Sequence, residues 1–232
     1  MNRLVEPEML ETLAEDDPGA IQSRKDLLLV NGIMGNHRWI MRELRQRIRP
    51  GWRVLELGAG DGALSQKLIQ RGICQPAQIS ALDLASRPTD WPAEAAWHQR
   101  DLFAETLPDA EVIIANLFLH HFEEAQLAEL GKRLPSTARL ILAAEPARYR
   151  FHQIQGGLFC RLMRLHFVTR NDMMISIRAG FRGDELSQAL GLDPEWTSTS
   201  RCGAFGAYQW EAIRDASSSL AESDMRQAGL VR

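Results

Sequence analysis

With 232 residues, 45% of them hydrophobic and 25% charged, the chain has the make-up of an ordinary globular protein: one large domain, or a domain with a small appendage. A net charge of −3 excludes the global basic field of a nucleic-acid binder. Three scattered cysteines, Cys74, Cys160 and Cys202, exclude a disulfide framework and a metal-type cysteine pair, and point to a reducing cytoplasm. No apolar run approaches the roughly 20 residues of a membrane-spanning helix. The stretch Met1–Pro7 is too acidic and mixed for a signal peptide.

Residues 1–50 read as helical. Pro7 to Ala14 suits a short helix, and Asp16-Asp17-Pro18-Gly19 reads as a turn. A second helix is expected from His37 to Ile48. Its Trp39, Ile40, Leu44 and Ile48 share one face, with arginines on the solvated other face. Strands and helices then alternate. Strands are expected at 53–57, 78–83, 96–99, 111–116 and 138–144, with helices at 62–70 and 123–134 between them. Such alternation implies a parallel sheet covered on both faces, with its ligand beyond the carboxyl ends of the strands. Residues 147–180 break the rhythm. They are rich in aromatics, methionines, histidines and arginines and read as helices. A helix at 183–190 follows. Strands at 196–201 and 207–214 are too close for a parallel crossover and are therefore antiparallel. The segment 215–232 reads as a polar tail.

The chemistry concentrates at the strand ends. Arg53-Val54-Leu55-Glu56-Leu57-Gly58-Ala59-Gly60-Asp61-Gly62 is a buried strand running into a glycine turn and a helix start. Its glycines permit a tight turn and close approach of a ligand. Glu56, two residues before the first glycine, can answer the amino group of an amino-acid-like ligand, whereas a pyrophosphate gains nothing from it. Gly58, Gly60 and Ala63 also satisfy a dinucleotide pattern, so an NAD(P) site stays open on these residues alone. Asp83 ends the second strand, where a carboxylate can accept ribose hydroxyls. Asp101-Leu102-Phe103 follows the third strand. Asn116-Leu117-Phe118-Leu119-His120-His121-Phe122 follows the fourth.

Taken in order, Glu56-x-Gly58-x-Gly60, Asp83, Asp101-Leu102-Phe103 and Asn116 to His121 resemble the motifs of class I, Rossmann-like, S-adenosylmethionine (SAM)-dependent methyltransferases of the small-molecule type. The resemblance covers about residues 31–214. Locally, Asn31 to Trp39 is similar to the lid segment of quinone-biosynthesis methyltransferases. The family implies an α/β fold: a doubly wound, seven-stranded, mostly parallel sheet with a terminal antiparallel hairpin, preceded by N-terminal helices and interrupted by a helical insertion after the fifth strand. It implies a lid at 1–50, a SAM-binding domain at 51–214 whose helices at 147–180 cover the substrate, and the tail beyond. It also implies cofactor contacts from Glu56, Gly58, Gly60, Asp83, Leu84, Asp101, Leu102 and Asn116. Asp83 would take the ribose and Asp101 the adenine amine. The Leu102 amide would meet the ring, and Leu102 and Phe103 would wall it.

The resemblance further implies in-line methyl transfer to oxygen or carbon of a small, apolar or aromatic, polyketide-like acceptor, free or presented on a carrier protein. His120 or His121 is the candidate catalytic base. No metal is implied, and a homodimer is compatible with the chain. The Pro-Pro-Tyr set of nitrogen methylases is absent after Asn116. The rivals are an NAD(P)-binding oxidoreductase and a non-catalytic SAM-binding scaffold. Glu145-Pro146 stands at a strand end where it could touch substrate.

Overall fold

The computed structural model describes residues 1–14 and 16–215. Its centre is a seven-stranded sheet of order β3-β2-β1-β4-β5-β7-β6. The strands are β1 (Val54–Leu57), β2 (Ile79–Asp83), β3 (Ala96–Gln99), β4 (Val112–Asn116), β5 (Leu140–Pro146), β6 (Trp196–Cys202) and β7 (Ala207–Arg214). The first five pair in parallel, with Leu55 opposite both Ser80 and Ile113. β7 runs antiparallel to β5 and to β6. The expected sheet and terminal hairpin are therefore what the chain forms. The tail beyond Asp215 lies outside the described residues.

The central strands are unbroken apolar runs because both faces are covered. Alternate side chains go to opposite cores. Leu55, Leu57 and Ile113 face one core. It is closed by α5 (Glu124–Arg133) and α8 (Glu185–Leu190), which pack together. Val54, Ile114 and Leu142 face the other core, which holds α3 (Asn36–Arg47) and α4 (Ala63–Gln70). In the hairpin, buried Tyr208 and Trp210 keep their polar atoms satisfied on Gly183 O at 2.7 Å and Ser187 Oγ at 2.9 Å.

The N-terminal region departs most from expectation. α1 (Met9–Thr12) is a single turn, and the expected turn at 16–19 opens a long helix, α2 (Pro18–Met34). The Asp17 side chain accepts the amides of Gly19 at 2.7 Å and Ala20 at 3.2 Å, and Pro18 has no amide to satisfy. Asp-Pro-Gly is thus a helix cap, chemically the same signal as a turn. α2 stops at Gly35, whose φ of 73° lets its amide reach Asn31 O at 3.0 Å. α3 starts at once, so residues 31–39 form a corner between two helices rather than a loop.

Residues 147–180 form α6 (Arg150–Leu162) and α7 (Phe167–Ala179). α7 is tied to α2 by buried Asp26, which accepts Thr169 Oγ1 and the His166 amide, both at 2.9 Å. The extreme N-terminus is strapped across the same edge. Arg3 donates to Ala179 O at 2.8 Å and Phe122 O at 2.6 Å, and Asp172 accepts the amides of Met9 and Leu10 at 2.8 and 3.0 Å. Among the described residues no helix is long and apolar enough to cross a membrane.

Candidate functional site

β1 ends in a turn built by three left-handed glycines, Gly58, Gly60 and Gly62, with φ of 65°, 58° and 72°. The Gly58 amide donates to Leu82 O at 2.9 Å, fastening the turn to β2. A Cβ at Gly58 would lie 2.0 Å from the Phe118 ring, and one at Gly62 2.5 Å from Trp91. A Cβ at Gly60 would meet nothing within 4 Å, so Gly60 is the open side of the turn. Its amide donates to Asp83 Oδ2 at 2.7 Å, while Asp83 Oδ1 accepts the Ala85 amide at 2.8 Å. Each oxygen keeps a lone pair for a further donor. Beside it Leu84 is 71% exposed, an uncovered apolar side chain on the rim.

Asp101 is exposed, and its Oδ1 accepts the Phe103 amide at 2.6 Å. Leu102 differs from expectation. Its side chain is buried in the core with Leu82 and Leu107 rather than walling a ligand, which leaves only its backbone for that purpose. Phe103 stays partly uncovered and meets Phe122 edge to face at 5.5 Å, and Phe122 meets Phe118 at 5.0 Å.

Glu56 is buried and faces α4, where Ser65 Oγ donates to it. Burial pushes its carboxyl up to about 8. It is therefore a neutral acid at pH 7 that a neighbouring cation would ionise. Asn116 Nδ2 donates to Asn31 Oδ1 at 3.1 Å and lies 3.4 Å from His37 Nε2. Asn36 Nδ2 reaches the same Asn31 oxygen at 3.4 Å. The α2–α3 corner thus closes on the end of β4. Two buried carbonyl oxygens in this cluster, Asn36 Oδ1 and Asn116 Oδ1, have no hydrogen-bond partner among the described residues. Unmet buried acceptors are rare, and these two fit a ligand that brings N–H donors. Burial and the Lys67 ammonium, 3.1 Å away, push His37 down to about 4, so it is neutral at pH 7.

The 117–121 turn is organised by Glu145, at the end of β5 and fully buried. Its carboxylate accepts the amides of Phe118, Leu119 and His120 at 3.1, 2.9 and 3.4 Å, and lies 2.7 Å from His120 Nδ1. Leu117 is held at a φ of 52°, a left-handed conformation that costs an L residue energy and that these bonds compensate. Glu145 is thus an anchor inside the fold, not a rim contact for substrate.

His120 is 3% exposed, and its Nε2 lies 3.5 Å from Glu8 Oε1 of the N-terminal strap. Burial opposes its charge, but hydrogen bonds to Glu145 and Glu8 overcome this and hold the imidazole at about 9. Burial likewise opposes the Glu8 charge, yet His120 and His121 hold that carboxyl below the usual range. His120 is therefore an imidazolium at neutral pH, which removes it as a free base. His121 stacks on it with ring centroids 4.2 Å apart and is half-buried. The donor atoms of Glu8, His120 and His121 lie within 4.8 Å of one another, a set that holds a proton and has the chemistry to hold a metal ion.

The structure brings Glu56, Gly58, Gly60, Asp83, Leu84, Asp101 and Asn116 to the carboxyl edge of β1–β4, as expected from the sequence. Glu8 and Asn36 belong to the edge as well, and no local motif marks Glu8, which reaches it from an irregular N-terminal segment.

No protein-family model and no curated protein matches the chain. Solved structures do. The plantazolicin methyltransferase BpumL in complex with S-adenosylhomocysteine (SAH) aligns with a TM-score of 0.63 at 11% identity, over 86% of this chain and 91% of that one. The pyocyanin biosynthetic protein PhzM aligns with a TM-score of 0.55 at 14% identity, over 90% of this chain and 62% of that one. Human N-acetylserotonin methyltransferase in complex with SAM gives 0.52 at 16% identity, over 89% and 61%. At these identities the likeness establishes the fold, which is the Rossmann-like fold of class I SAM-dependent methyltransferases. None of these three is a quinone-biosynthesis enzyme.

Proposed function

We propose that the chain is a SAM-dependent methyltransferase that methylates oxygen or carbon of a small, apolar or aromatic, polyketide-like acceptor. The observation that carries this reading is the open glycine turn at Gly60 with the Asp83 carboxylate on its amide, next to the unmet oxygens of Asn36 and Asn116. Asp83 takes the ribose hydroxyls. Leu84 and the Leu102 backbone flank the adenine, and Asp101 takes its amine. The Asn36 and Asn116 oxygens take the ammonium of the amino-acid part. Glu56 ionises behind them as that charge arrives. A dinucleotide offers no ammonium to this end of the site, so the same acceptors speak against NAD(P).

SAM supplies a methyl group already activated on a sulfonium; the acceptor attacks that carbon, the carbon–sulfur bond breaks, and SAH leaves. The protein's task is alignment. The corner of Asn31, Asn36 and His37 closes on the β4 end and shields the reacting atoms from water. Glu145 fixes the 117–121 turn, and Phe118 and Phe122 offer an aromatic wall for a planar acceptor. Where the acceptor carries a hydroxyl, its proton goes to His121, positioned by the ring of His120.

The test is incubation of the protein with isotope-labelled SAM and a panel of phenolic and polyketide-like acceptors, read by mass spectrometry. Labelled methyl on an acceptor, reduced in His121→Ala with SAH affinity intact, is the expected result. SAH binding with no transfer to any acceptor class would leave a binding scaffold instead.

A further inference from the structure

Exposed apolar and cationic side chains are unevenly distributed among the described residues. Between Glu145 and Asp172 the chain has five arginines and no acid, although the whole protein is net negative. Arg148 is buried on Glu185 at 2.5 Å. The other four, Arg150, Arg161, Arg164 and Arg170, are exposed. The same tract, Tyr149 to Phe167, carries half of the exposed large apolar side chains of the described residues.

On α6 these form a single stripe. Phe151, Ile154, Leu158 and Leu162 are 65%, 73%, 57% and 71% exposed. At 3.6 residues per turn and 1.5 Å per residue they fall within an arc of about 80° along about 17 Å of helix. Met163, at the C-terminal cap of α6, and Phe167, at the start of α7, are exposed as well. Arg150 and Arg161 flank it along one side. The opposite face packs: His152 and Cys160 are buried, and Gly156 sits against Met173 and Ile177 of α7. A helix with one face docked to its own protein, the other apolar, and arginines beside it has the construction of an interfacial helix.

We propose that α6 and the start of α7 dock this protein on an anionic lipid surface. The apolar stripe enters the headgroup boundary while Arg150, Arg161 and Arg164 meet lipid phosphates. Charge selects this occupant over a second copy of the chain, because two such faces would set their arginines against each other with no acid in the tract to pair them. α6 follows directly from β5, and its partner α7 packs on the 119–121 turn, so docking holds the candidate site next to the bilayer. The inference stands apart from the methyl-transfer reading and is tested without cofactor.

The experiment is co-sedimentation of the full chain with vesicles of phosphatidylcholine alone or with phosphatidylglycerol, with size-exclusion light scattering in parallel. The expected result is binding to anionic vesicles only, weakened by salt. It should fall about fivefold for each of Arg161→Gln and Arg164→Gln and be lost in Leu158→Glu/Leu162→Glu. These residues are exposed, and an unchanged thermal transition verifies that the variants fold. Equal sedimentation with both vesicle types, no sedimentation, or a dimer that Leu158→Glu/Leu162→Glu splits into monomers without any vesicle binding would overturn the proposal.

Discussion

The two halves of the candidate site are built in different ways. On the β1–β3 side, the glycine turn, Asp83 and Asp101 are short local motifs, each at a strand end, held by backbone amides that donate to side-chain carboxylates, as Gly60 does to Asp83. On the β4–β5 side, the 117–121 turn depends on partners far along the chain: Glu145 from β5, Glu8 and Arg3 from the strap, and α7. The first half leaves space and exposed polar groups for a ligand. The second is a buried, charge-balanced assembly. The contrast separates binding from architecture, and substitutions in the two halves should fail differently.

The largest effect is expected at Glu145. Glu145→Ala removes the acceptor of three amides and strands a buried imidazolium, and should lower stability by about 3–5 kcal/mol, measured by chemical denaturation. An unchanged denaturation midpoint would deny the turn its anchor. Next, Gly58→Ala combines left-handed φ with a contact 2.0 Å from Phe118 and should cost about 2–4 kcal/mol together with SAH affinity. Gly60→Ala, which meets no neighbour, should cost only about 1 kcal/mol in stability. Equal losses at the two glycines would erase the assignment of an open and a closed side.

Asp83→Ala should keep the fold and weaken SAH binding about 10- to 100-fold, read by calorimetry, since hydrogen bonds to a charged group contribute about 1.5–3 kcal/mol. A variant that binds SAH like the parent would refute the ribose assignment. The smallest and most diagnostic effect concerns pH. His120 is held at about 9 in the fold, above its ordinary 6.5. Its contribution is therefore fully present below about pH 6.5 and lost as pH rises through about 9. The thermal midpoint of the parent should drop more between pH 7 and 10 than that of His120→Gln. Parallel curves would show that the imidazolium does not matter.

How far the sequence carries the structure follows the same division. Strand positions, the parallel order and the hairpin are legible because buried strands are apolar runs and short connections force antiparallel pairing. Gly58, Gly60 and Asp83 are legible because the backbone conformation and the strand end demand those residue types. The helix at 18–34 was hidden because Asp-Pro-Gly caps a helix and makes a turn with the same chemistry. The charge of His120 was hidden because it is set by Glu8 and Glu145, which meet it only in the folded chain. Leu102 reads as a wall or as core equally well, and only packing decides.

The central claim is that the Gly60–Asp83 edge with its unmet Asn36 and Asn116 oxygens holds an amino-acid-bearing nucleoside rather than a dinucleotide. The most direct measurement is calorimetric titration of the purified protein with SAH, with NADH as control. The account predicts micromolar binding of SAH and none of NADH. No binding of SAH, or tighter binding of NADH, would contradict it and return the glycine turn to its dinucleotide reading.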